Sequence, residues 1–224
     1  MKKTLLIACA ASALSLFAAN AQAADVPPAP ETSGFYVSLF GGASFLNDVE
    51  TDYNGSSDDQ YTVDPKTGYI LGGAIGMRVW DPLRSEVEVS YSRWKIDDEV
   101  RHNDHDDAAK GDMEAFYVLG NLWYDIDTGT VFTPYVGGGA GVGFADADTE
   151  FNDQDYGYGN GNAGFAFQLG AGAKFNLTEN IALDVGYRFK GILDVDFDDN
   201  DGEGTYEGAD LYSHNVQGGV TFGF

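Results

Sequence analysis

Cysteine is all but missing from this sequence: Cys9 is the only one, and it sits in an apolar N-terminal run. Lys2 and Lys3 precede Leu5-Leu6-Ile7-Ala8, Ala, Leu and Phe continue to Ala19, and Ala21-Gln22-Ala23 closes the stretch. A basic start, an apolar middle and a small-x-small end make residues 1–23 a secretory signal peptide, with cleavage expected after Ala23. Leu6-Ile7-Ala8-Cys9 has the form of a lipoprotein box. Cleavage there would leave an apolar region of about four or five residues, short of the roughly seven that a signal needs. With Cys9 removed alongside the signal, disulfides and thiol chemistry are excluded from the mature chain.

Positive charge is scarce as well. The chain has 12 Lys and Arg against 36 Asp and Glu, and loss of Lys2 and Lys3 leaves ten against 36. That balance repels nucleic acid and other polyanions. Past residue 23 the sequence has no apolar run long enough for a membrane helix, which needs about 18 residues or more. It is nevertheless a folding sequence rather than a disordered acidic one, because aromatics make up 14% and hydrophobic residues 43%. A membrane protein with these absences is a β-barrel, whose strands alternate and never form a strong hydrophobic block.

The sequence also supplies the organisation such a barrel requires. Residues 24–33 form a Pro-rich tail with Pro27, Pro28 and Pro30, leaving 34–224 as the barrel domain. Four acidic, turn-rich stretches follow: Asn47 to Pro65, Asp97 to Asp112, Asp146 to Asn162 and Asp194 to Gly208. Three short connections alternate with them, at Trp80-Asp81-Pro82-Leu83, at 125–129 and at 176–180. Four long and three short connections join eight strands, expected over 34–46, 67–80, 84–96, 113–124, 130–145, 164–176, 181–193 and 209–224. Each exceeds the roughly ten residues that a tilted strand needs to cross an apolar band about 25 Å tall. The expected fold is all-β, an eight-stranded antiparallel up-and-down transmembrane β-barrel.

Side-chain parity points the same way. In the sixth expected strand Phe165, Phe167, Leu169, Ala171, Ala173 and Phe175 share one face, opposite Gly164, Ala166, Gln168, Gly170, Gly172 and Lys174. In the first, Val37, Leu39, Ala43 and Phe45 oppose Tyr36, Ser38, Gly42 and Ser44, with Phe40 an exception. The second face is rich in glycine and poor in Lys, Glu and Thr, which suits a narrow interior better than a water-facing surface. The last strand alternates to its end, with Val220, Phe222 and Phe224 on one side and Gln217, Gly219, Thr221 and Gly223 on the other.

These stretches resemble the eight-stranded outer-membrane barrels that include the OmpA transmembrane domain and the opacity-type surface proteins. The resemblance rests on Gly34-Phe35-Tyr36-Val37, the run from Thr133 to Gly141, Phe167 to Gly172, Val185-Gly186-Tyr187-Arg188-Phe189 and the C-terminal strand. It implies an outer-membrane location and makes Gln217, Gly219, Phe222 and Phe224 the signal read by the barrel-assembly machinery. It implies as partners that machinery, outer-membrane lipid and lipopolysaccharide. No nucleic acid, cofactor or metal is expected, and the state expected is a monomer. The sequence stops at the closing strand, so the peptidoglycan-binding domain of longer OmpA relatives is not expected, nor is anchoring to the cell wall.

Charges of inward parity form the candidate site. Pairing across the Pro82 turn is expected to set Arg78 opposite Glu86 and Gly76 opposite Glu88. Pairing across Thr178 and Glu179 sets Lys174 opposite Asp184 and Gly170 opposite Arg188. Buried charges need partners, so these residues make either a polar plug or, as the resemblance to OmpA permits, an ion gate built on Glu88 and Arg188.

Other chemistry is thin. The acidic run from Asp194 to Glu203 fails the calcium-loop pattern, because Gly202 lies one position too far from Asp196. Arg93 and Lys95 have outward parity and could meet lipid phosphates, unless a bulge turns them inward. Only His102, His105 and His214 are available as bases, and in Ser213-His214 neighbouring strand residues point to opposite faces. An enzyme is therefore not expected. A mainly structural, surface-displaying envelope protein is, with a narrow pore or an adhesin acting through the acidic loops as alternatives.

Overall fold

The computed structural model describes residues 34–224 apart from 54–55, 64, 103–104, 152–157 and 200–204; the expected signal peptide and Pro-rich tail lie outside the described residues. Ten strands form: β1 (Phe35–Leu46), β2 (Val49–Tyr53), β3 (Ser56–Val63), β4 (Gly68–Trp80), β5 (Leu83–His102), β6 (His105–Asp125), β7 (Phe132–Phe151), β8 (Tyr158–Asn176), β9 (Ile181–Asp199) and β10 (Thr205–Gly223). Eight of them, β1 and β4 to β10, pair antiparallel with their neighbours, and β1 closes on β10 from Tyr36↔Gly223 to Leu46↔Ser213. The closed ring leaves no free edge within the staves, as a lipid environment demands.

The remaining two strands correct the reading of 47–65 as a loop. β2 and β3 form a hairpin with Val49 opposite Val63 and Thr51 opposite Tyr61. It is wedged between the outer ends of β10 and β5, through Glu207↔Asp52 and Thr62↔Arg101. Positions 54 and 55 read Asn-Gly, the strongest short-range hairpin signal, but the acidic content around them mimics a loop. The other acidic stretches are likewise largely strand. The β5–β6 ladder runs unbroken from Leu83↔Tyr124 to His102↔His105, well past the membrane crossing. Backbone pairing continues through the acidic residues, so aspartate does not mark the end of a strand here.

The short connections and both ends of the ring lie on one side, and the extended ribbons on the other; by the asymmetry of such barrels these are the periplasmic and outer sides. Outward positions carry a belt that includes Leu39, Leu71, Ile75, Val87, Leu122, Val136, Leu169 and Val185, all exposed. Inward positions are buried. Phe40 keeps inward parity, its ring lying over Gly72, where a side chain would meet Phe40 Cζ at 2.5 Å. Asp194, at φ 59°, forms a bulge on β9. The bulge keeps both Ile192 and Val195 inward and fully buried.

The seam depends on Gly42, which faces Gln217 across β1–β10. A Cβ there would run into the Val216 carbonyl oxygen and come within 2.6 Å of Gln217 Cα. Gly42→Val is expected to cost about 1–3 kcal/mol, the usual penalty of overpacking. Urea titration of the barrel refolded into lipid vesicles checks this, as a lowered midpoint and a smaller heat-modifiable folded band on a gel.

Candidate functional site

Inward parity on β5, β6, β8 and β9 brings the lumenal charges into two adjoining groups. Near the periplasmic end, buried Arg84 donates from Nε to both oxygens of Asp125, at 2.8 and 2.9 Å. Its Nη1 reaches Tyr36 OH at 3.0 Å and Glu86 Oε2 at 3.4 Å. Tyr36 OH donates to Glu86 Oε2 at 2.9 Å, and Trp123 Nε1 donates to Glu86 Oε1 at 3.0 Å. Each group thus satisfies the next, which is the condition for holding charge away from bulk water.

One step further out, Glu88 is the hub. It forms an ion pair with the fully buried Lys190. It also accepts from Ser90 (2.9 Å), Gln168 (2.7 Å) and Asn121 (3.1 Å). Lys190 in turn donates to Ser90 Oγ at 2.8 Å and lies 4.8 Å from the Tyr117 ring centroid. Arg188 does not meet Glu88. Its guanidinium stacks over Trp123, 4.3 Å from the centroid. From there it donates to Tyr135 OH at 2.8 Å, and Tyr135 donates to Asp184 at 2.8 Å. Gly170 makes room for it: a Cβ there would stand 2.5 Å from Arg188 Cδ.

The register on the β8–β9 side is the one the sequence suggests, with Lys174 opposite Asp184 and Gly170 opposite Arg188. Lys174 nevertheless places Nζ 4.7 Å from the Tyr36 ring centroid, while Asp184 bonds Tyr135. The β4–β5 register differs by two residues. Trp80 pairs directly with Leu83 across a two-residue connection, and a bulge follows. Arg78 therefore faces Arg84, Gly76 faces Glu86 and Ala74 faces Glu88. Arg78 leaves the lumenal network and sits half-exposed at the periplasmic rim, bonded to Asp81 at 2.5 Å. Gly76 yields its space to the Tyr36 ring instead.

Sequence reasoning passed over Arg84, Lys190 and the polar side chains that connect them. Arg84 shares parity with Glu86 and Glu88, and Lys190 shares parity with Asp184 and Arg188, so alternation alone could have found both. The C-terminal residues divide by parity: Gln217 is buried beside the seam, whereas Phe222 and Phe224 are exposed on the outer wall. Arg93 and Lys95 remain outward, since the β5–β6 ladder has no bulge there. Ser213 is buried in the lumen, while His214 faces out with Nδ1 2.5 Å from Tyr187 OH. The two lie on opposite faces of the wall. Asp196 is occupied by the Gly208 N–H at 3.0 Å and Asn162 Nδ2 at 3.2 Å. Residues 200–203 of that acidic run lie outside the described residues.

The periplasmic group borders a cavity of about 120 Å³ lined by Tyr36, Arg84, Asp125, Lys174 and Thr221. A smaller space of about 30 Å³ reaches Glu88, Arg188 and Gln217. Above Lys190 the lumen turns apolar: Trp94, Ile96, Met113, Tyr117, Ile192 and Phe197 are all at most 2% exposed.

A closed eight-stave ring with a lipid-facing apolar belt and a charged, packed lumen accords with the family comparison, in which the model of the outer membrane protein beta-barrel domain matches residues 9–224. The chain belongs to the outer membrane β-barrel family. Its place is the bacterial outer membrane. Solved structures similar to it include OprG from Pseudomonas aeruginosa, at 16% identity over 89% of this chain and 100% of that one, with a TM-score of 0.61. Neisserial surface protein A aligns at 21% identity over 86% of this chain and 99% of that one, with a TM-score of 0.53. The outer membrane protease OmpT of Escherichia coli aligns at 10% identity over 87% and 98%, with a TM-score of 0.54. At these identities the likeness is one of fold, and OmpT's activity does not carry over. Comparison with curated proteins yields no match.

Lys190→Met leaves Glu88 buried without its cation and is expected to destabilise the barrel by about 3–5 kcal/mol. Adding Glu88→Gln removes the stranded charge and should restore much of that loss. Urea denaturation of the two single variants and the double variant in vesicles reads the coupling directly; additive losses would show that the pair does not act as a unit.

Proposed function

We propose that this outer-membrane barrel is a sealed structural protein of the envelope, which holds acidic ribbons above the membrane rather than conducting solutes through it. The observation that carries the reading is the apolar outer half of the lumen. Trp94 anchors it, donating from Nε1 to Ser44 Oγ at 3.0 Å. Ile192 packs into the gap left by Gly143 and Gly164, where a Cβ would approach its side chain to within 2.8 Å. The periplasmic cavity ends beneath this layer. An ion entering from that side meets a wall of close-packed apolar side chains, where its hydration has no replacement.

The polar group below serves as a plug in this reading. Glu86, Glu88 and Asp125 each hold a cation, Glu86 and Glu88 with several hydrogen-bond donors besides, and Asp184 accepts from Tyr135, so a gate would have to break this network to open. Such a barrel resists deformation, and its solvent-facing ribbons are the part presented outside the cell. The exposed Phe222 and Phe224 on the closing strand fit the expected contact with the barrel-assembly machinery.

Planar-bilayer recording tests the reading. The wild-type protein is expected to give no discrete conductance steps, and Arg188→Ala is expected to leave the trace unchanged. Steps of constant unit size from the wild type, altered by Arg188→Ala, would establish the gate instead. Enlarging the outer layer with Trp94→Ala and Ile192→Ala together should introduce conductance that the parent lacks.

A further inference from the structure

The ring of staves does not end where β1 and β4 end. β1 leaves β10 at Leu46↔Ser213, and β4 first meets β5 at Tyr69↔Arg93. Their partners run on outward, β5 to His102 and β10 from Thr205. In the sector between these two strands β2 and β3 take the places of β1 and β4, so the pairing around this side continues beyond the lipid.

The hairpin is anchored at its base and lightly held above it. Val49 is fully buried in the apolar layer that includes Ile96, Phe197 and Leu211, and the Asn47 N–H bonds the Tyr212 carbonyl at 2.8 Å. Higher up, the rungs are few: Tyr206↔Tyr53 and Glu207↔Asp52 on β10, and Tyr61↔His102, Thr62↔Arg101 and Val63↔Val100 on β5. The Lys95 carbonyl accepts from the Lys66 N–H, and the β5–β6 ladder has no bulge. By strand alternation the backbone groups of Asp97, Glu99 and Arg101 therefore face the hairpin side as Lys95 does. Without the hairpin these groups would lie in water, which satisfies them at little cost. They would also form a bare strand edge, a template on which another strand can pair.

We infer that the β2–β3 hairpin is an edge guard, which keeps a second copy of this chain from adding a strand to the outer lengths of β5 and β10. Charge is a second barrier. Asp97, Asp98 and Glu99 on β5, and Glu207 and Asp210 on β10, repel the same edge of a like chain, and salt screens that repulsion. The hairpin is the barrier that salt leaves in place. The inference does not depend on whether the lumen is sealed.

The barrel, refolded in detergent, would be compared with a variant in which a short Gly-Ser linker replaces residues 50–62, and with Thr62→Pro, which removes a rung between β3 and β5. Sedimentation equilibrium at low and high salt reads self-association. The wild type is expected to remain monomeric in both. At high salt the linker variant should associate roughly tenfold more tightly than the wild type, with Thr62→Pro between the two. Heat-modifiable migration shows which variants are folded, and Thr62→Pro alone carries the comparison where the linker variant is not. Amide hydrogen exchange locates the contact: protection of residues 97–101 or 205–211 that grows with protein concentration supports the guard. Folded variants that stay monomeric at high salt would overturn the inference. So would association that leaves both edges unprotected, which would come from apolar side chains uncovered by the change.

Discussion

Closure of β10 on β1 is the constraint on which the rest of the molecule depends. In lipid a strand edge has no water to satisfy its N–H and C=O groups, and each unmet group costs several kcal/mol. The ladder from Tyr36↔Gly223 to Leu46↔Ser213 removes that cost for both ends of the sheet. Once the ring is closed, its circumference is set, and every inward side chain must fit an interior too narrow for an open channel. Glycine at Gly42, Gly72, Gly76 and Gly170 follows from this geometry. Each yields its volume to the seam backbone or to a large inward side chain, Phe40, Tyr36 or Arg188.

The charged interior follows from the same narrowness. Arg84, Glu86, Glu88, Asp125, Asp184, Arg188 and Lys190 are held where bulk water is limited, and each has a specific partner. Such pairs add little net stability by themselves, since desolvation offsets most of the attraction. What they do supply is register. Sliding β9 by two residues past β8 would move Arg188 from Gly170 to Gly172 or Gln168, away from its place over Trp123, and would separate Lys190 from Glu88. The network therefore discriminates against slipped pairings, which the weak, repetitive alternation of glycine and valine on β7 would otherwise tolerate.

Much of this was legible in the sequence. Alternation is a local property, and it identified the wall, the eight staves and the lipid face of Phe222 and Phe224. The β8–β9 register could be read because its connection is regular. The β4–β5 register could not: a bulge between Arg78 and Trp80 moves the ladder by two residues, and nothing local in the sequence announces it. Arg78 was misplaced for that reason. Lys190 shows a different failure, since its parity was visible but its partner sits on β5, across the lumen. Contacts that cross the barrel depend on shear, which a single sequence does not print. The β2–β3 hairpin is hidden because its acidic, polar composition is that of a loop, although its backbone pairs from Val49↔Val63 to Tyr53↔Ser56.

The vertical order of the lumen argues for a directional design. Charges gather in the half that opens to the periplasm, where the cavity beside Lys174 and Arg84 admits water. Apolar side chains fill the half beneath the outer ribbons. The reverse order would place ionic groups under the acidic rim, whose field would favour filling the lumen with cations from outside. Trp94, Met113 and Ile192 in that position set a mainly apolar layer between the rim and the charges. Acidic ribbons and charged network are thus separated along the barrel axis by that layer, and on the proposed reading the separation is what lets one chain carry both.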